Sequence, residues 1–99
     1  MNLKGKNAII TGGGRGLGKA VAIALANEGA NIGITGRNEE NLKNTVEEIK
    51  KLGVTAAYSV FSIDDEKAVK TGIDSLVKDL NGVDILVNNA GIGNFGTLE

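Results

Sequence analysis

One segment constrains this chain more than any other: Thr11-Gly12-Gly13-Gly14-Arg15-Gly16-Leu17-Gly18. It directly follows a short apolar run, Ala8-Ile9-Ile10, and opens a stretch with helical periodicity. A buried strand, a glycine turn and a helix start in that order make a phosphate-binding device. The first backbone N–H groups of a helix have no intrahelical partner, and the helix dipole favours negative charge beside them. Glycines remove the Cβ atoms that would keep a pyrophosphate away from that backbone. The segment therefore predicts a nucleotide-binding domain.

The rest of the chain alternates strand and helix. Asn7–Thr11 reads as a first buried strand. Residues 15–27 read as a helix with Leu17, Ala20, Val21, Ala24 and Leu25 on one stripe, stopped by Gly29. Residues 31–35 form a second strand. Asn38 then caps a second helix marked by Leu42, Val46, Ile49 and Leu52 and stopped by Gly53. Residues 54–60 form a third strand. Ser62 with Asp65 reads as a capping box for a third helix, which carries Val69, Ile73, Leu76, Val77 and Leu80 and ends at Gly82. Residues 84–88 form a fourth strand around the continuous apolar run Ile85-Leu86-Val87. Continuous apolar strands suit a parallel sheet covered on both faces. The pattern βαβαβαβ predicts an α/β, Rossmann-type doubly wound parallel sheet. Right-handed crossovers set its strand order at 3-2-1-4, with the ligand at the carboxyl ends of strands 1 and 4.

Composition narrows the chemistry. The 99 residues carry a net charge of −1 with both signs interspersed, which gives no electrostatic basis for a nucleic-acid or membrane partner. Cysteine and histidine are both absent, which removes thiolate chemistry, the commonest general base and the commonest metal ligand. The first residues lack the apolar core of a signal peptide, and no apolar run reaches membrane-spanning length. A soluble cytoplasmic protein without a bound metal is the default expectation.

Two phosphate loops compete for the glycine motif. Gly13 to Gly18 followed by Lys19 fits the Walker-type loop of an NTPase, but the next residue is Ala20, and the missing hydroxyl is the one that ligates magnesium. The alternative is a dinucleotide loop. The strict Gly-x-Gly-x-x-Gly spacing is absent; Thr-Gly-x3-Gly-x-Gly stands in its place, at Thr11, Gly12, Gly16 and Gly18. Between strand 1 and helix 1 this spacing favours a dinucleotide.

Together with Val83-Asp84-Ile85-Leu86-Val87-Asn88-Asn89-Ala90-Gly91, this motif resembles the short-chain dehydrogenase/reductase family. The 3-oxoacyl-[acyl-carrier-protein] reductase group is the nearest in character. The resemblance covers essentially all of the chain but only the N-terminal part of a family member. It implies that Gly12, Gly14, Arg15, Gly16, Leu17 and Gly18 form the cofactor loop. It implies also that Asn89, Ala90 and Gly91 border the cofactor ribose, while Asn88 ties strand 4 to its neighbours. The plainer reading of Asn88-Asn89 is a polar strand end with turn chemistry.

The end of strand 2 addresses the choice of cofactor. An acid at that position binds the ribose 2′-hydroxyl and selects NAD. Here the segment is Ile34-Thr35-Gly36-Arg37-Asn38, with no acid and with Arg37 next to the strand end. A guanidinium binds a 2′-phosphate bidentately. Arg37 with Asn38, and Arg15 from the glycine loop, match the NADP(H)-preferring pattern of the resembled family. Glu39 and Glu40 read as first-turn acids that complement the helix dipole.

At the end of strand 3 the family commonly has an aspartate that meets the adenine amino group. This chain has Ser62, with Ile63 next, so the resemblance implies an adenine contact through these two positions, the serine serving alternatively as a helix cap. Phe61 is a candidate for adenine stacking or for the core. The family's catalytic serine, tyrosine and lysine fall beyond this chain. Its single tyrosine, Tyr58, is followed four residues on by Ser62 rather than lysine, and reads as a packing residue. The expectations are thus an NADP(H)-dependent carbonyl reductase or alcohol dehydrogenase for the parent protein, and a cofactor-binding part, inactive alone, for residues 1–99. A non-catalytic nucleotide-binding module is the alternative. Strand 4 at the sheet edge predicts self-association into a homo-oligomer.

Overall fold

The computed structural model describes residues 2–12, 14, 16–61 and 65–89. Its elements are β1 (Asn7–Thr11), α1 (Gly16–Asn27), β2 (Asn31–Gly36), α2 (Glu39–Lys50), β3 (Ala56–Val60), α3 (Glu66–Leu80) and β4 (Ile85–Asn88). The four strands form one parallel sheet in the order β3-β2-β1-β4, the predicted topology. Every residue of β1 is buried, as a central strand covered on both faces requires.

Strand alternation splits the core in two. On one face Ala8 and Ile10 of β1, with Ile32 and Ile34 of β2, pack against Ala22 and Ala26 of α1 and Leu42, Val46 and Ile49 of α2. On the other face Ile9 meets Leu76 and Leu80 of α3. Gly33 makes that second contact possible: a Cβ there would lie 3.2 Å from Leu80 and 3.4 Å from both Ile9 and Leu76. Phe61 belongs to this packing too. Its ring occupies the position that a Cβ on Gly72 of α3 would take, which favours the core role over adenine stacking.

The phase of α1 differs from expectation. The buried positions are Gly18, Ala22 and Ala26, flanked by half-buried Val21, Ile23 and Leu25, while Leu17, Ala20 and Ala24 are exposed. Residues 20–26 are apolar all round, so their hydrophobicity gives no preferred face. Side-chain size decides instead: a row of glycine and alanine at i, i+4, i+8 lets the helix axis approach the sheet closely.

Several boundaries move as well. Leu52 lies beyond α2, which ends at Lys50. β3 begins at Ala56 and β4 at Ile85, each later than the apolar runs suggested. The capping box on Ser62 is replaced by a cap on Asp65 itself, whose carboxylate accepts from the N–H groups of Lys67 and Ala68 at 3.0 and 3.1 Å. Aspartate is one of the strongest N-caps, and a side chain immediately before the helix meets both amides. At the other end Asn81 adopts the left-handed conformation, φ 66°, and Gly82 N–H closes on Val77 O at 2.8 Å. The predicted stop of α1 holds in detail: Gly29 at φ 101° donates to Ala26 O, and Ala30 donates to Leu25 O, the paired bonds of a Schellman end.

At the amino ends of the strands, away from the glycine turn, polar side chains lock the sheet. Asn7 Nδ2 donates to Leu80 O at 2.9 Å, Asn31 Nδ2 to Asn7 Oδ1 at 3.0 Å, and Thr55 N–H to Asn31 Oδ1 at 3.0 Å. Asp84 accepts from Asn7 N–H at 2.9 Å and fixes β4 beside β1. In sheets of this topology a ligand lies at the opposite, carboxyl ends of the strands.

Candidate functional site

β1 delivers Thr11 and Gly12 to the carboxyl edge, β2 delivers Thr35, Gly36 and Arg37, and β4 delivers Asn88 and Asn89. Hydrogen bonds draw these ends together. Thr11 Oγ1 donates to Asn88 Oδ1 at 3.1 Å, so Asn88 ties β4 to β1 as expected. Gly12 N–H donates to Thr35 Oγ1 at 3.4 Å, and Asn89 Nδ2 donates to Gly12 O at 3.3 Å. From α2, Thr45 Oγ1 donates to Gly14 O at 3.1 Å.

The glycines have distinct physical roles. Gly12 and Gly16 take φ of 69° and 62°, where a side chain is strained. Gly18 has ordinary φ but no space: a Cβ would overlap Gly12 O and lie 2.7 Å from Asn89 Nδ2. It is the close-packing glycine that lets α1 start directly over the end of β1. No acid stands in the first turn of α1, so the positive end of its dipole is uncompensated there.

Between the glycine turn and the start of α2 lies a cleft of about 370 Å³, lined by Gly12, Gly14, Gly36, Arg37, Asn38, Asn41 and Leu42. Asn38 caps α2, its Oδ1 accepting from Asn41 N–H at 2.9 Å. Arg37 is exposed at this cleft and makes no ion pair among the described residues. The nearby acid is engaged elsewhere: Tyr58 on β3 donates its hydroxyl to Glu39 Oε2 at 3.0 Å. That hydrogen bond, with smaller contributions from burial and the carboxylate's charge, holds the Tyr58 phenol above its ordinary value near 10.

Of the residues assigned from sequence, Gly12, Gly14, Arg37 and Asn38 meet at the cleft, and Asn89 joins them through Gly12. Gly16 and Leu17 form the exposed first turn of α1, and Gly18 packs beneath it. Arg15, Ser62, Ile63, Ala90 and Gly91 lie outside the described residues. Thr35 and Thr45 were missed. Both are buried and hold the glycine turn by hydroxyl bonds, and an alternating β2 pattern with a threonine among isoleucines is the one signal that marks Thr35. Lys19, which a Walker-type loop would place on phosphate, instead pairs with Glu48 of α2 at 2.7 Å.

The model of the short chain dehydrogenase family matches residues 6–99. The chain belongs to that family. Gluconate 5-dehydrogenase of Gluconobacter oxydans is 38% identical over 98 residues, which span 99% of this chain and 38% of the relative. The 3-oxoacyl-[acyl-carrier-protein] reductase of Aquifex aeolicus is 39% identical over 93% of this chain and 38% of its own length. An oxoacyl reductase thus stands among the relatives, as the resemblance implied. Two solved structures bracket the cofactor question. L-Sorbose reductase from Gluconobacter frateurii, complexed with NADPH and L-sorbose, shares 35% identity with a TM-score of 0.86, over 98% of this chain and 37% of that one. An NAD+-bound xylitol dehydrogenase shares 36% identity with a TM-score of 0.87, over 92% and 35%. The chain spans between 31% and 39% of the length of the first curated relatives it matches.

The family binds nicotinamide cofactors, and the cleft fits that ligand class. Its floor is glycine backbone that a Cβ would fill, and its rim carries a cation and a helix start. Among the described residues no helix is long and apolar enough to cross a membrane.

Proposed function

We propose that this chain holds NADP(H) as the cofactor-binding part of an oxidoreductase that reduces carbonyls or oxidises alcohols, with 3-oxoacyl-[acyl-carrier-protein] reductase as the nearest type. The observation that carries the cofactor choice is Arg37: exposed, at the carboxyl end of β2, on the same cleft as Gly12 and Gly14, and unpaired with any described acid. A guanidinium there offers two parallel N–H donors to a 2′-phosphate, and β2 ends on Gly36 rather than on a carboxylate that would repel it. The relatives' own ligands leave the choice to such local residues, since one neighbour binds NAD+ and another NADPH.

The bound nicotinamide supplies the hydride chemistry. The chain's own residues hold and orient. Gly12 and Gly14 leave backbone open to the phosphates, the first turn of α1 offers unpaired N–H groups, and Asn89 and Thr35 keep the turn in place.

Residues 1–99 are, in this reading, the N-terminal cofactor-binding part of a longer cytoplasmic domain, without catalytic activity alone. Their span of about a third of each relative supports it. Self-association fits the same picture. β4 is an edge of the described sheet, with Leu86 54% exposed, and an apolar edge invites pairing. Sedimentation that gave a stable monomer would remove this part of the reading.

Calorimetric titration with NADPH and NADH tests the cofactor assignment. Tighter NADPH binding, weakened about ten-fold or more by Arg37→Ala, is the expected result, the size set by losing a charge-assisted hydrogen bond. Equal affinity for the two cofactors, untouched by the substitution, would overturn it.

A further inference from the structure

Arg37 and Glu39 stand on either side of the α2 cap, and their relationship is set by a third residue. Asn38 is extended, φ −104° and ψ 104°, and across an extended residue the flanking side chains leave the backbone on the same side. A carboxylate and a guanidinium so placed form a surface ion pair easily. Here they do not: Glu39 Oε2 accepts from Tyr58 Oη at 3.0 Å, and no ion pair joins Glu39 to Arg37. Tyr58 sits opposite Ile34 in the β3–β2 register, and its half-buried ring packs against the core beneath α2. The ring is thereby anchored, and its hydroxyl is a fixed donor at the surface.

We propose that Tyr58 is a positioning residue for the 2′-phosphate subsite: its hydroxyl holds the Glu39 carboxylate off Arg37, so the guanidinium is left for an incoming phosphate. The inference rests on the NADP(H) reading and deepens it. Without the tether, Glu39 is free to swing onto Arg37 and compete with the phosphate for the guanidinium. With it, the carboxylate still complements the start of α2 while its Oε2 accepts from the phenol and is held on the β3 side. The raised phenol titration agrees with a donor that stays protonated throughout the physiological range. Selectivity at this site then has two parts, a cation that binds and a phenol that restrains the neighbouring acid.

The test measures Kd for NADPH and for NADH, at low salt, on the full chain and on Tyr58→Phe, Tyr58→Phe/Glu39→Gln and Arg37→Ala. Phenylalanine keeps the packed ring and removes only the donor. Tyr58→Phe is expected to weaken NADPH about two- to five-fold and to leave NADH unchanged, the scale of an exposed charge pair. Adding Glu39→Gln is expected to restore NADPH affinity, which loss of packing alone would not allow. Equal weakening of both cofactors by Tyr58→Phe, or no rescue by Glu39→Gln, overturns the proposal. Arg37→Ala separates the two layers. If it lowers the NADPH preference while Tyr58→Phe changes nothing, the Tyr58 role alone fails; if it leaves the preference unaltered, the NADP(H) reading fails and this inference with it.

Discussion

The side-chain amide of Asn89, just past β4, donates to the carbonyl oxygen of Gly12, just past β1, across 3.3 Å. The same amide lies 2.7 Å from where a Cβ on Gly18 would stand. Three positions, one of them 77 residues along the chain from Gly12, therefore share one small volume, and each limits the other two. The glycine turn keeps its shape because β4 reaches over to hold it and because α1 has nothing at Gly18 to push it away.

Gly18→Ala is expected to destabilise the fold by about 1–3 kcal/mol, the usual cost of forcing an extra methyl into a packed site. The added carbon meets backbone, Gly12 O, and not the tip of a flexible side chain. Urea unfolding measures the loss, and cofactor titration of the remaining folded protein should show weaker binding.

Thr45→Val keeps volume and shape but removes the donor to Gly14 O. With residue 45 buried, the carbonyl loses its hydroxyl partner, and a stability loss of about 1–3 kcal/mol is expected from an unsatisfied acceptor. Cofactor affinity should fall with it, because Gly14 lines the cleft; Thr45→Ser should retain both.

Asp65→Ala is expected to cost about 1 kcal/mol, the typical loss of an N-cap. Two amides, of Lys67 and Ala68, lose their acceptor. Thermal unfolding followed by circular dichroism reads the change, and Asp65→Ser should recover much of it, since serine caps nearly as well.

Tyr58 is the chain's only tyrosine and there is no tryptophan, so its ionisation can be followed alone by ultraviolet absorbance. The folded phenol should titrate above the unfolded value near 10, and Glu39→Gln should bring it down. The linkage sign follows: a raised folded value means the native state keeps the proton longer. The stabilisation is therefore complete below about pH 10 and disappears as pH rises through the folded value. A pH–stability profile flat through neutrality and falling at alkaline pH is expected, with a smaller fall in Tyr58→Phe.

The fold was legible because it rests on local signals that tertiary packing reinforces. The Ala8-Ile9-Ile10 run, the glycine turn, the stop at Gly29 and the cap at Asn38 each depend on a few neighbouring residues, and each stands where expected. The phase of α1 was not legible, because nearly every residue from Ala20 to Ala26 is apolar and only the distance to the sheet selects Ala22 and Ala26 for burial. The cap of α3 was displaced because two candidate polar residues lay close together and backbone geometry chose Asp65.

The candidate site divides along the same line. Sequence alone determined that a glycine turn joins β1 to α1, that β2 ends without an acid and that Arg37 follows it, since these are facts about adjacent residues. Only the tertiary structure decided that Thr35, Thr45 and Asn89 hold that turn, that Lys19 is engaged by Glu48, and that Tyr58 engages the acid beside Arg37. The physical reason is range. Strand and helix propensities act over a few residues. Hydrogen bonds of about 3 Å between groups 19 to 77 positions apart exist only once parallel strands have brought their carboxyl ends to one edge.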